Sequence, residues 1–259
     1  MKTILCLLAC PLLLFAETDN LTVGNPGNCD VLIDRPGFAL GYSNAKQQAL
    51  WVQYHFTVEE NKTRLHRRTN LFLPDPALPP GAPTTEDFAM RFYNRGHLAP
   101  AGDMQHSAEA MQASFYLSNI SPQHREMNAG IWNDIEKFVR YTVNVERSLY
   151  VITGPIFDSN APVIPTKRIP IPSAFYKIIY DATPPEKMIA FLVPNRRSNA
   201  PIHTFATTVD VLEAQTGLDF FTNLPTADTL EAEITLNAWK KLTRWVRENI
   251  QLPWEKSQK

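Results

Sequence analysis

Two apolar, β-favouring runs joined by one short polar turn constrain this chain most. Phe175-Tyr176-Lys177-Ile178-Ile179-Tyr180 and Met188-Ile189-Ala190-Phe191-Leu192-Val193 flank Asp181-Ala182-Thr183-Pro184-Pro185-Glu186. Each run has the length of a strand, and the turn can only fold them back on one another, which predicts an antiparallel hairpin. Leu149–Thr153, closed by Gly154-Pro155, is a third buried strand by composition. Ala49–Phe56 alternates Val52, Tyr54 and Phe56 with Trp51, Gln53 and His55, a period of two that predicts a fourth. Helical patterns cover Met127–Tyr141, Thr207–Gln215 and Leu230–Ile250, and Ala108–Ser118 reads as a short helix or a helix-to-strand passage. Residues 17–37 read as irregular, 59–70 as a charged exposed segment and 74–85 as a proline-rich loop. The expected class is α+β, with a mixed, largely antiparallel sheet and flanking helices. No repeat or linker divides the chain, so residues 17–259 are expected to form a single domain.

Met1-Lys2 precedes an unbroken apolar run from Ile4 to Ala16, followed by Glu17-Thr18-Asp19-Asn20. One early lysine, a short apolar stretch and a small residue at its end are the marks of a secretory signal peptide. The run is too short to span a bilayer as a helix. We therefore expect residues 1–16 to be removed and the protein to be exported, either periplasmic or secreted, with no membrane segment in the mature chain. Cys6 and Cys10 would leave with the signal. Cys29 would remain alone, without an internal disulfide and expected to be buried. The formal net charge of -1 weighs against a tight, sequence-specific nucleic-acid binder, because phosphate contacts dominate such affinity. Any phosphate-binding surface must be a local patch.

One such patch is Asn94-Arg95-Gly96-His97-Leu98-Ala99-Pro100. A neutral imidazole can take a proton from water, an adjacent guanidinium can hold a phosphate, and the intervening glycine would let backbone approach a ligand closely. A polar loop, Ser118-Asn119-Ile120-Ser121-Pro122-Gln123, and then the helix Met127–Tyr141 follow. On that helix Asn128, Trp132, Glu136 and Arg140 recur every four residues, drifting only about 40° per step, so Asn128 and Glu136 share a side. Ile131, Ile135, Phe138 and Val139 form the neighbouring apolar stripe. A carboxamide and a carboxylate are hard donors suited to Mg²⁺, Mn²⁺ or Ca²⁺. Spacing alone fits an ordinary amphipathic helix with a wet polar face at least as well.

Taken together, Arg95-Gly96-His97, Ser118–Gln123, Asn128-Ala129-Gly130-Ile131-Trp132, Glu136 and Arg140 resemble the DNA/RNA non-specific endonucleases. These are the ββα-metal, or His-Me finger, nucleases. Tyr150–Pro155, Phe175-Tyr176-Lys177, Phe191-Leu192-Val193-Pro194-Asn195 and Thr216-Gly217-Leu218-Asp219-Phe220-Phe221 extend the likeness over roughly residues 36–225. The resemblance implies a metal-dependent, sugar-non-specific endonuclease that hydrolyses phosphodiester bonds of DNA and RNA. His97 would be the general base and Asn128 the ligand of one Mg²⁺ (or Mn²⁺). Glu136 would orient a water of the ion, while Arg95 and Arg140 would stabilise charge on the phosphate. Asn119 would position the His97 loop, with simple packing an equal explanation. For each arginine the competing role is a surface salt bridge. No base edge need be read by such a site, so no sequence specificity is expected.

The chain departs from the family pattern in two places. Asn94 stands where an aspartate is usual, keeping the hydrogen-bonding shape and losing the charge. Phe72-Leu73-Pro74-Asp75 stands where a phosphate-contacting arginine is usual, so either Arg67 or Arg68 replaces it or the contact is absent, and a solvated charged face explains those two arginines equally well. Residues 226–259 form a helical extension beyond the resemblance, with Trp239, Leu242, Trp245, Val246 and Ile250 at packing-helix spacing. His106, His124 and His203 lack metal-ligand spacing, so zinc is not implied. The alternative function is a non-catalytic nucleic-acid- or partner-binding protein on the same scaffold. No sequence feature specifies the oligomeric state.

Overall fold

The computed structural model describes residues 18–88 and 91–249. In chain order the elements are β1 (Val31–Arg35), β2 (Phe38–Ser43), β3 (Gln48–Thr57), α1 (Val58–Lys62), β4 (Tyr93–His97), α2 (Ala108–Ser114), β5 (Ile120–His124), α3 (Arg125–Met127) and α4 (Asn133–Glu146). There follow β6 (Ser148–Ile156), β7 (Val163–Ile164), β8 (Ile169–Pro170), β9 (Ala174–Asp181), β10 (Lys187–Pro194), β11 (Ala206–Thr207), α5 (Val209–Thr216), α6 (Ala227–Glu231) and α7 (Leu236–Asn249). Seven strands make the main sheet in the order β1-β2-β3-β6-β9-β10-β11, and β4-β5 form a separate ribbon. The ladders of both are antiparallel throughout.

The predicted hairpin is β9–β10, in register from Lys187↔Asp181 to Pro194↔Ala174. Alternation along the central strands splits the core between the two faces of the sheet. Leu40, Val52, Val151, Ile179 and Phe191 face one way and pack with Ile131, Ile135, Phe138, Val139 and Trp245. Ala39, Trp51, Ile152, Ile178 and Ala190 face the other way and pack with Leu212, Phe220 and Phe221. The first face carries α4 and therefore the ribbon that precedes it, so the main sheet is the platform on which the β4–β5–helix unit rests.

Several expectations are corrected. Within residues 17–37, expected to be irregular, residues 31–35 form β1, which pairs with β2 in a hairpin. Strand β6 runs on through Gly154-Pro155; its pairing with β3 ends at Thr153, so Pro155 has only β9 beside it and its missing N–H is tolerated. The charged segment 59–70 opens with α1, capped by a reciprocal Thr57–Glu60 box. The helix foreseen over Met127–Tyr141 begins at Arg125, kinks at Gly130 in a π-type turn spanning Asn128–Trp132, and continues to Glu146. Leu230–Ile250 is two helices, α6 and α7, broken over residues 232–235. Leu242 and Trp245 enter the core as expected, whereas Ile250 and the side chains of Trp239 and Val246 lie outside the described residues. Cys29 is half-buried and free, not buried. The segment read as a signal peptide also lies outside the described residues. Among those described, no helix is long and apolar enough to cross a membrane.

Candidate active site

The segment 118–123, expected as a polar loop, is mostly strand. β5 pairs with β4 in the register Asn94↔Gln123, Arg95↔Pro122, Gly96↔Ser121 and His97↔Ile120. Its polar side chains Ser121 and Gln123 are buried and make directional contacts with protein groups. Ser121 Oγ donates to Gln48 Oε1 at 2.5 Å, and Gln123 Nε2 reaches the His97 carbonyl at 3.4 Å. Asn195, just past the end of β10, clamps the strand to the main sheet. Its Oδ1 accepts from His124 N at 2.7 Å, and its Nδ2 donates to the carbonyls of Pro122 (3.0 Å) and Pro172 (2.9 Å). Gly96 is required for a reason other than ligand approach. A Cβ there would lie 2.2 Å from the buried Gln123 side chain, so the ribbon closes only with glycine.

Asn119 fixes the backbone beyond His97. Its Oδ1 accepts from Ala99 N at 2.8 Å, while its Nδ2 donates to the carbonyls of Ala99 and Ser114, both at 2.9 Å. The Leu98 amide adds a bond to the Asn119 carbonyl at 3.0 Å. His97 is 8% exposed, and its Nε2 is enclosed with no protein partner. Phe72 tilts against the imidazole at 5.6 Å and Phe115 meets it edge-on at 4.8 Å. Burial, helped by the charge of Arg68, pushes the His97 pKa down to about 3, so the ring is neutral at any ordinary pH.

Phe72 belongs to the segment that departs from the family pattern, and that segment is firmly tied. Leu73 exchanges backbone bonds with Phe115 and Leu117. Asp75, fully buried, accepts from Arg35 Nη2 at 2.8 Å and Ser118 Oγ at 2.5 Å. Phe72 thereby reaches both His97 and an open cleft of about 520 Å³ whose walls include Arg68, Asn94, Arg95, Arg125 and Asn128. Three guanidinium groups and two carboxamides make this cleft cationic and polar inside a chain of net charge -1. Arg95 also lies over the Phe72 ring, 5.1 Å from its centroid. Of the two arginines singled out in the sequence, Arg68 lines this cleft, whereas Arg67 lies on a separate surface groove beside Leu65 and Leu71. Arg125 was missed by sequence reasoning. Its position one residue after a strand now seen to carry buried polar groups is the signal that points to it.

Glu136 and Arg140 stand deeper. Arg140 donates from Nη1 to Asp103 Oδ1 at 2.8 Å, and Tyr54 donates to Asp103 Oδ2 at 2.8 Å. That network ties α4 to the loop after His97, and Arg140 is not on the cleft wall. Burial raises the Glu136 pKa to about 7, opposed by the nearby charges of Lys177, Arg140 and Arg68. Lys177 is completely buried under the site. It donates to Thr153 Oγ1 at 2.5 Å and sits 5.1 Å from the Trp132 ring centroid. The structure thus gathers Arg95 and Asn128 on one cleft with His97 against its Phe72 wall. Glu136 and Arg140 lie in a charged layer behind them, and Asn119 serves as a brace.

A two-stranded ribbon followed by a helix, set on an antiparallel sheet, is the ββα-metal fold. The family model for DNA/RNA non-specific endonuclease matches residues 16–227, and the chain belongs to that family. The mitochondrial nuclease EXOG of Mus musculus is 32% identical over 204 residues, covering 72% of this chain and 55% of its own. The chain therefore spans only about half the length of these EXOG relatives. A nuclease of Serratia marcescens is 32% identical over 228 residues, covering 83% of this chain and 84% of that one. Among solved structures, a chain of the EndoG/EndoGI complex superposes with a TM-score of 0.73 at 27% identity, covering 80% of this chain and 91% of the other.

Proposed function

We propose that this chain is an exported, metal-dependent endonuclease that hydrolyses phosphodiester bonds in both DNA and RNA without sequence preference. One observation carries the proposal: an imidazole held neutral at the end of β4 adjoins a cleft walled by three arginines and by the Asn128 carboxamide, which makes no hydrogen bond among the described residues. His97 takes the proton of the attacking water, its ring held in place by Phe72 and Phe115 and kept neutral by burial. Arg68, Arg95 and Arg125 grip phosphate oxygens and oppose the charge that develops there. Their targets are common to every nucleotide, which accounts for indifference to base and sugar.

Asn128 fits a divalent ion. Its side-chain oxygen is a hard donor, faces the cleft, and makes no hydrogen bond among the described residues. Mg²⁺ suits a site with so few protein ligands, with Mn²⁺ as a substitute. Such an ion would supply Lewis-acid stabilisation of the phosphate and of the leaving oxygen. Glu136, backed by Lys177, orients groups beneath the cleft, while Asn119 and the Arg140–Asp103 pair hold the His97 loop in place. Export rests on the apolar run Ile4–Ala16, and residues 17–259 form one nuclease domain with a helical extension. The test is incubation of plasmid DNA and of RNA with the folded chain, with Mg²⁺ and with EDTA. Magnesium-dependent loss of both substrates is expected. Metal-independent binding of either without cleavage would move the protein to a binding role on this scaffold.

A further inference from the structure

A second polar cluster lies at the corner between α5 and α6. Asp210 and Glu213 stand three residues apart on α5 and so share a face; Glu231 comes from the last residue of α6. One oxygen from each lies within 4.8 Å of the others. Oxygens on opposite sides of a calcium ion are about 5 Å apart at ordinary ligand distances, so the three can share one ion without rearrangement.

The second observation is Glu231 itself. It is 4% exposed, and its Oε1 is enclosed with no hydrogen-bond partner. None of the three acids forms an ion pair with a lysine, arginine or histidine among the described residues. Asp219 and Asp228 add to the negative field around them. Among the described residues only Glu213 of the three is otherwise engaged, accepting from the Phe220 amide at 2.7 Å through Oε1. A buried carboxylate with neither donor nor counter-charge is expensive. It must stay protonated or hold a cation. Asp210 is exposed and Glu213 half-buried, so the cluster is open to solvent on one side and an ion can enter.

We propose that Asp210, Glu213 and Glu231 bind a calcium ion that clamps α5 to α6, apart from the catalytic cleft. An all-carboxylate set of hard oxygens excludes a preference for soft metals. Calcium accepts carboxylates in irregular geometry, whereas magnesium gives up its waters reluctantly.

The experiment uses the full chain carrying Asn128→Ala, which removes the proposed ligand of the cleft. ⁴⁵Ca²⁺ equilibrium dialysis and thermal melts in calcium chloride or EDTA are measured beside the same chain with Glu231→Gln or Glu213→Gln. The expected result is one bound calcium and a melting midpoint raised by about 5–10 °C at hundredfold saturation. Both glutamine variants should bind none and melt identically in calcium and EDTA. Glu231→Gln loses only a charge at a buried position, so it should fold. Absence of calcium uptake by the Asn128→Ala chain, or unchanged uptake by Glu231→Gln, overturns the site. An equal shift with Mg²⁺ at the same concentration overturns the calcium assignment.

Discussion

The β9–β10 pair and the β4–β5 ribbon are both antiparallel, yet they are held by different physics. β9 and β10 bury Phe175, Ile178, Ile179, Ile189 and Phe191 on the two faces of the main sheet, where stabilisation follows apolar area and tolerates small shifts. β5 buries Ser121 and Gln123, and its neighbour Asn119, each matched to a particular donor or acceptor. Such bonds add little net stability but are costly to leave unmade, so they specify position. The proposed base, His97, sits on the second kind of scaffold, one that fixes its placement closely, and the first kind supplies the stability beneath it.

Substitutions in the two regions should therefore separate stability from rate. The largest loss of stability is expected for Phe191→Ala in β10, about 3–5 kcal/mol by chemical denaturation, with the turnover of the remaining folded protein unchanged. A parallel fall in turnover would show that the sheet also tunes the site. Asn119→Ala and Asn195→Ala should each cost less stability, about 1–3 kcal/mol. They should nonetheless lower kcat by up to about a hundredfold, because the His97 loop and β5 lose their braces. A change confined to KM would argue against that role.

Acid should act through the ribbon as well. His97 has a folded pKa of about 3, below the ordinary value of 6.5, so its contribution is complete above pH 6.5 and is lost as pH falls toward 3. Between pH 7 and about pH 5 the protein should lose about 2 kcal/mol from this group. His97→Phe should flatten that part of the stability profile; an unchanged slope would place the titration elsewhere. The smallest effects come from the arginines. Arg68→Ala should raise KM about tenfold through loss of one charge-assisted phosphate contact. Arg67→Ala, on a different surface, should change little, and the reverse outcome would reassign the cleft wall.

The same contrast explains what the sequence makes legible. The β9–β10 hairpin announces itself because an apolar run can only be buried. The stripe Ile131, Ile135, Phe138 and Val139 is equally visible, since helical period and burial agree. β5 looks like a loop because Ser, Asn and Gln have low strand propensity, and their partners Gln48, His97 and Ala99 are distant in sequence. The role of Gly96 depends on Gln123 across the ribbon, and the difference between Arg67 and Arg68 on which way the segment before Leu73 turns. Neither is a local property. Asp210, Glu213 and Glu231 meet only because the chain returns after a loop and a short helix, so spacing does not reveal them.

The central claim is that His97 is the base of a phosphodiester-cleaving site, and single-turnover cleavage by His97→Ala tests it most directly. The chain is compared with the unaltered protein in Mg²⁺ on plasmid DNA and on RNA, with nucleic-acid affinity and melting temperature measured alongside. The account predicts a fall in the cleavage rate of about 10²–10⁴-fold on both substrates, with binding and fold retained. Cleavage by His97→Ala at the rate of the unaltered protein would contradict it.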